Sequence, residues 1–166
     1  VSDVSNPVIA VAILAGGNSH RMGQDQAALH HDGPSLIERQ VSDLRYLSES
    51  LPIFICSGSR RYAELDAYEV RHIPDAVNSA GPLAGIAKAL ETVSAAGFEG
   101  GYVLVLPTDS LIAPSDICQR LTDAMPATSE VVLLKGERLH PLHGLFSVAI
   151  ASRMQDYVES GGRSVM

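Results

Sequence analysis

A chain of 166 residues with 46% apolar and 19% charged side chains can close a real core, which excludes a disordered segment. Its net charge of −7 argues against a duplex-binding surface, which needs clustered Lys and Arg against a run of phosphates. The longest apolar run, Val8 to Leu14, falls far short of the roughly 20 residues that cross a bilayer, and no basic segment precedes it as in a signal peptide. A cytoplasmic protein with neither a membrane nor a nucleic-acid partner is therefore expected.

In chain order, Pro7 to Leu14 reads as a strand buried on both faces, closed by Gly16 and Gly17. Ile37, Val41, Leu44, Leu47 and Leu51 follow helical spacing, with Ser35 as N-cap and Pro52 as stop. Ile53–Cys56 and Glu69–Ile73 read as short strands on either side of a polar stretch. A helix begins at Gly81-Pro82 and buries Leu83, Ile86, Leu90 and Val93. Tyr102–Leu106 is the next buried strand, broken by Pro107-Thr108-Asp109, and Ile117, Leu121 and Met125 mark another helix. Val131–Leu134 and Leu145–Val148 form a hairpin around Gly136-Glu137-Arg138, before a last helix near Met154–Val158. Cys56 and Cys118, alone in separate apolar segments, read as reduced core thiols.

This alternation predicts one α/β domain over residues 1–166 with a doubly wound, mostly parallel sheet. Ligands of such sheets lie beyond the carboxyl ends of the strands, where the winding reverses. The loops at Gly16-Gly17, Pro74-Asp75 and Pro107-Thr108-Asp109 all follow strands.

The loop from Leu14 to Leu29 carries the chemistry. Glycines at 16, 17 and 23 let backbone NH groups approach phosphate oxygens, and Arg21 offers a planar fork of donors to the same oxygens. The spacing fits neither a P-loop, since no Gly-Lys-Ser or Gly-Lys-Thr occurs, nor G-x-G-x-x-G. A dinucleotide-dependent oxidoreductase would also need an acidic residue ending the second strand, where Cys56-Ser57-Gly58 stands. Asp109, ending a buried strand, can hold Mg²⁺ against nucleotide phosphates, or cap the helix ahead of Ser115. Asp25 can assist the metal or fix Arg21. His140 and His143, an odd number of residues apart, would point to opposite faces of one strand, so neither they nor His30-His31 read as a zinc site.

The loop resembles the L-A-G-G-x-S-x-R-M-G-x-D-K signature of the molybdenum cofactor guanylyltransferases, matching every named position except the last, where Gln26 replaces Lys. Pro74-Asp75 followed by Gly81-Pro82-Leu83-Ala84-Gly85 is similar to the family's D-x(n)-G-P-L-A-G segment. Pro107-Thr108-Asp109 resembles its P-C-D metal site, with Ser110-Leu111 in place of the commoner Met-Pro or Thr-Pro. His140-Pro141 and Gly162-Arg163-Ser164-Val165-Met166 look like its later motifs.

The resemblance implies a Rossmann-like nucleotidyltransferase with a small β-hairpin insertion near the C-terminus. The implied reaction is Mg²⁺-dependent transfer of GMP from GTP to molybdopterin, with loss of pyrophosphate. It makes Arg21 and Asp109 catalytic and Asp109 the metal ligand. It assigns the nucleotide to Leu14, Ala15, Gly16, Gly17, Arg21, Gln26, Asp75, Gly81 and Asp109, with Asp75 at the guanine or ribose edge unless it is a simple turn residue. His140-Pro141 would line the acceptor side, and partner proteins of cofactor assembly fit the same picture. The family continues for roughly another strand and helix end, so a missing C-terminal segment is expected. Gln26 leaves three readings: a slower enzyme relying on Mg²⁺ and Arg21, a GTP-binding paralogue with little catalysis, or a relative that uses CTP or another acceptor.

Overall fold

The computed structural model describes residues 7–16, 33–58, 60–74 and 81–164. Strands β1 (Val8–Leu14), β2 (Ile53–Cys56), β3 (Arg71–Ile73), β4 (Tyr102–Pro107), β5 (Val131–Lys135) and β6 (Leu139–Ser147) form one sheet in the order β3-β2-β1-β4-β6-β5. The first four run parallel, and β6 runs antiparallel to both β4 and β5. The helices are α1 (Leu36–Leu47), α2 (Pro82–Ala95), α3 (Pro114–Ala124) and α4 (Ala151–Glu159).

Residue parity along β1 divides the core into two layers, as a strand buried on both faces requires. Val11 and Ile13 join Ile55, Leu104 and Leu106 against Ile37, Val41 and Leu44 of α1 and Ile117 and Leu121 of α3. Ala10, Ala12 and Leu14 join Phe54, Cys56, Val103 and Val105 against Ile86, Ala89, Leu90 and Val93 of α2. Each large aliphatic side chain so buried contributes about 1.5–3 kcal/mol. Gly85 lets α2 lie close to the sheet: a Cβ there would stand 3.1 Å from the Cys56 Cβ and 3.3 Å from the Leu14 Cδ2. Cys56 and Cys118 are both buried and outside any disulfide, and burial pushes the Cys118 thiol up.

Local chemistry sets the element ends. Ser35 caps α1 by accepting from the Glu38 NH at 3.3 Å. Ala113, which begins α3, has no capping side chain. Asp43 of α1 substitutes, accepting from the Ser115 NH at 2.9 Å and from its hydroxyl at 3.2 Å.

Three expectations change. Leu51 lies outside α1, because the helix ends at Leu47 and the chain turns into β2. The strand expected from Glu69 starts only at Arg71, because a 3-10 helix over Ala63–Tyr68 ends with Glu69 in the left-handed region at φ 54°. Arg45 anchors that turn through the Tyr68 and Glu69 carbonyls at 2.9 and 3.2 Å. The hairpin expected as an insertion is instead the antiparallel end of the main sheet, since β6 extends well before Leu145 and pairs along β4.

His72 in β3 accepts a hydrogen bond from the Tyr62 NH at Nε2, 3.2 Å away. Burial, then the nearby Arg61 guanidinium, push its pKa below the ordinary 6.5, with Asp66 and Glu64 pulling the other way. As pH falls through about 6.5, the unfolded chain takes up this proton before the folded one does. The contribution is complete above that pH and is lost as pH drops through the lower folded-state value. The urea midpoint should therefore fall between pH 7.5 and 5.5, and His72→Gln, which keeps an acceptor but does not titrate, should flatten that fall. An equal slope in the variant would show that His72 does not carry it.

Candidate functional site

The carboxyl ends of the parallel strands lie level across the sheet. Leu14 stands opposite Cys56 on one side and Pro107 on the other, and Cys56 stands opposite Ile73. From β1 the chain winds outward to β2 and β3, then returns to lay β4 on the other flank of β1. The winding therefore reverses between β1 and β4, where open α/β sheets place a ligand crevice. Leu14, Ala15 and Gly16 border this point from β1, and Thr108 and Asp109 border it from β4.

On the β1 side, the NH groups of Ala15 and Gly16 both donate to the Cys56 carbonyl, at 3.0 and 2.9 Å. The start of the glycine loop is thereby tied to the end of β2, and these two amides already have an acceptor. The Leu14 carbonyl accepts from the Thr108 NH at 3.3 Å, joining the two sides of the switch directly. Gly17, Arg21, Gln26 and Asp75 lie outside the described residues, as do Asp25, His30 and His31.

Gly81 begins α2 with φ 73°, a backbone conformation that favours glycine, and Pro82 follows in the first turn where its missing NH costs least. The C-terminal Gly162-Arg163-Ser164 segment returns to this corner: a Cβ on Gly81 would stand 3.9 Å from the Arg163 carbonyl. Lys88, two turns into α2, is paired with Glu91 at 2.7 Å. It is therefore engaged along its own helix.

Asp109 is exposed at the turn after β4. It does not cap α3, whose first turn is served by Asp43. Gln40 of α1, 5% exposed, donates through Nε2 to the Pro107 carbonyl at 2.9 Å and lies 3.5 Å from that of Thr108. In the sequence, the signal for Gln40 is its place as a polar residue beside the apolar stripe of Ile37, Val41 and Leu44.

The expectation that His140 and His143 diverge is overturned. Between the pairs Leu133↔Gly144 and Leu134↔His140, one step along β5 is matched by four along β6, so Pro141, Leu142 and His143 bulge out of the ladder. Parity applies only to an unbroken strand. The bulge brings the two rings to 5.6 Å between centroids, edge to face at 80°. His143 Nε2 lies 3.0 Å from the Ser110 hydroxyl. Burial, then His140, hold His143 below its usual pKa, against a raising influence from Asp109. Among the described residues, no three His, Cys, Asp or Glu side chains converge as metal ligands, and no helix is long and apolar enough to cross a membrane.

Residues 11–166, spanning both sides of this switch point, match the family of MobA-like NTP transferase domains. The chain belongs to this family of nucleotidyltransferases. A MobA-like relative named molybdenum cofactor guanylyltransferase, from Rhizobium leguminosarum bv. trifolii, is 34% identical over 153 residues, covering 90% of this chain and 68% of the relative. One of the same name from Rhizobium meliloti is 29% identical, covering 89% of this chain and 67% of the relative. This MobA-like chain thus spans about two thirds of the length of these curated relatives. The fold is shared with molybdopterin-guanine dinucleotide biosynthesis protein A of Archaeoglobus fulgidus, at TM-score 0.69 and 21% identity, over 94% of this chain and 76% of the other. It is shared too with 4-diphosphocytidyl-2C-methyl-D-erythritol synthase, at TM-score 0.63 and 12% identity, over 91% and 83%.

Proposed function

We propose that this nucleotidyltransferase moves GMP from GTP to molybdopterin. The terminal phosphate oxygen of the acceptor attacks the α-phosphorus of GTP, the bond to the bridging α–β oxygen breaks, and pyrophosphate departs with that electron pair. The observation that carries the reading is the pairing, across the winding switch, of a glycine loop after β1 with an exposed carboxylate after β4. The names of the relatives supply the guanine nucleotide and the acceptor.

Charge is the principal obstacle, because two anions must meet and a more charged leaving group must form. Arg21 answers part of it with a planar fork of donors to the phosphates. Asp109 fits a divalent cation of the Mg²⁺ type, which takes one or two carboxylates together with substrate phosphate oxygens and water, and so needs no cluster of protein ligands. Bound there, Mg²⁺ would neutralise phosphate charge as the α-phosphorus is attacked. The remaining work is alignment, to which the Leu14–Thr108 link contributes by fixing the two loops relative to each other.

Gln26 offers a neutral amide where a lysine would bring a charge, which favours a slow enzyme. The test is pyrophosphate release with molybdopterin, Mg²⁺ and either GTP or CTP, comparing the parent with Gln26→Lys. GTP should be preferred, and Gln26→Lys should raise kcat/KM by roughly tenfold to a hundredfold. Turnover with CTP alone would reassign the nucleotide. No turnover by either protein, with GTP still bound, would reduce the function to nucleotide binding.

A further inference from the structure

The turn carrying Asp109 is fixed on both sides by groups outside it. On its near side, the Thr108 NH donates to Leu14, and Gln40 holds the Pro107 carbonyl. On its far side, Ser110 meets His143 at 3.0 Å, while the Ser110 NH closes the turn onto the Pro107 carbonyl at 3.3 Å. Beyond Ser110 the restraint is local: the Ser110 hydroxyl donates to the Ile112 carbonyl at 3.3 Å and accepts from the Ile112 NH at 3.4 Å, while Leu111 is 98% exposed. The bond to His143 is therefore the first tertiary restraint after the carboxylate.

The β6 bulge makes that bond possible. The β4·β6 ladder ends at Val105↔Gly144, and the next residue outward on β6 is His143, so the bulge lies beside the end of β4. Along a regular strand a side chain at 143 would take its place in the ladder. Released from the ladder, it reaches the loop after β4. A Ser–His contact also invites a nucleophile-and-base reading, but an activated serine needs a base oriented by a third polar group. The neighbours found for His143 are the ring of His140, edge to face, and Asp109, which acts on it by charge without a hydrogen bond that would orient the ring.

We infer that Ser110 and His143 form a positioning pair, which fixes the Asp109 carboxylate where a divalent cation and nucleotide phosphates meet it. His143 acts through Ser110 and touches no reacting atom. This inference rests on the reading of Asp109 as the phosphate-side carboxylate. It predicts that the two residues act as a unit, and that an amide able to reproduce Nε2 at position 143 substitutes for the imidazole.

The experiment is a double-mutant cycle with Ser110→Ala and His143→Phe, alongside His143→Gln and Asp109→Asn. Two quantities are read on the whole chain: urea unfolding without metal, and Mn²⁺ affinity by electron paramagnetic resonance. The second uses a GTP analogue with a methylene in place of the α–β bridging oxygen. Each single variant should weaken Mn²⁺ binding by roughly threefold to tenfold, and the double variant no more than either single. His143→Gln should recover most of the loss, and the unfolding cycle should be non-additive in the same sense. Unchanged Mn²⁺ affinity in the single variants, or losses that multiply in the double, would overturn the pair while leaving Asp109 in its role, provided Asp109→Asn abolishes binding. Unchanged affinity in Asp109→Asn would bring down both the pair and the reading beneath it.

Discussion

Asp109→Asn is expected to slow pyrophosphate release with GTP, molybdopterin and Mg²⁺ by a factor on the order of 10² to 10³, with the thermal midpoint essentially unmoved. The size follows from the task assigned to the carboxylate. Removing one pre-positioned electrostatic group from a charge-neutralising site costs about 3–4 kcal/mol of transition-state stabilisation. The unmoved midpoint follows from the setting, since Asp109 is exposed and caps no helix, and surface changes of this kind stay within about 0.5 kcal/mol. Because the proposal makes the lost group a ligand to a cation, raising Mg²⁺ should restore part of the rate. A loss of less than threefold at saturating Mg²⁺ would remove Asp109 from the reaction. A large fall in the midpoint would mark the residue as structural.

Gly144→Ala should produce a clear loss of stability. Gly144 lies in β6 with β4 on one side, opposite Val105, and β5 on the other, opposite Leu133. A Cβ there would stand 2.7 Å from the Val132 carbonyl oxygen, 2.7 Å from the Leu133 Cδ2 and 3.2 Å from the Phe146 Cε2. The leucine methyl can rotate aside, but the carbonyl belongs to the backbone of β5 and yields only if the strands part. Overpacking of this kind costs about 1–3 kcal/mol, or roughly 3–9 °C in midpoint for a chain of this length. Gly100→Ala is the matched control, because a Cβ at that position meets nothing within 4 Å. Equal midpoints for the two variants would show that β6 accommodates the methyl.

What could be read from the sequence was governed by local pattern. The strand ending at Leu14 and the helix capped by Ser35 were legible because an unbroken apolar run and a 3.6-residue stripe are properties of the segment itself. The 3-10 helix over Ala63–Tyr68 was not, since a single short turn buries only Leu65 and leaves no period to detect. Gly85 was legible as part of a motif, but its reason is tertiary: the Cβ it lacks would crowd Leu14 and Cys56. Asp109 could be found because carboxylates after buried strands are conspicuous. His143 could not, because its direction depends on a slip between β5 and β6 that neither strand encodes alone. Gln40 falls between the two cases, since its place on an apolar stripe was visible and its partners, the carbonyls ending β4, were not.

The central place of β1 also bears on how the chain acquires its shape. Its partner on one flank, β2, follows after a single helix, but Val8 pairs on the other flank with Tyr102, roughly a hundred residues further along, and contacts so distant in sequence are slow to close. During synthesis β1, β2 and β3 emerge before β4, and the β4-facing edge of β1 waits with its amides and carbonyls unmatched until β4 leaves the ribosome. The strand that carries the glycine loop is thus enclosed only once β4 arrives, and the Leu14–Thr108 link that unites the two halves of the site can form only then.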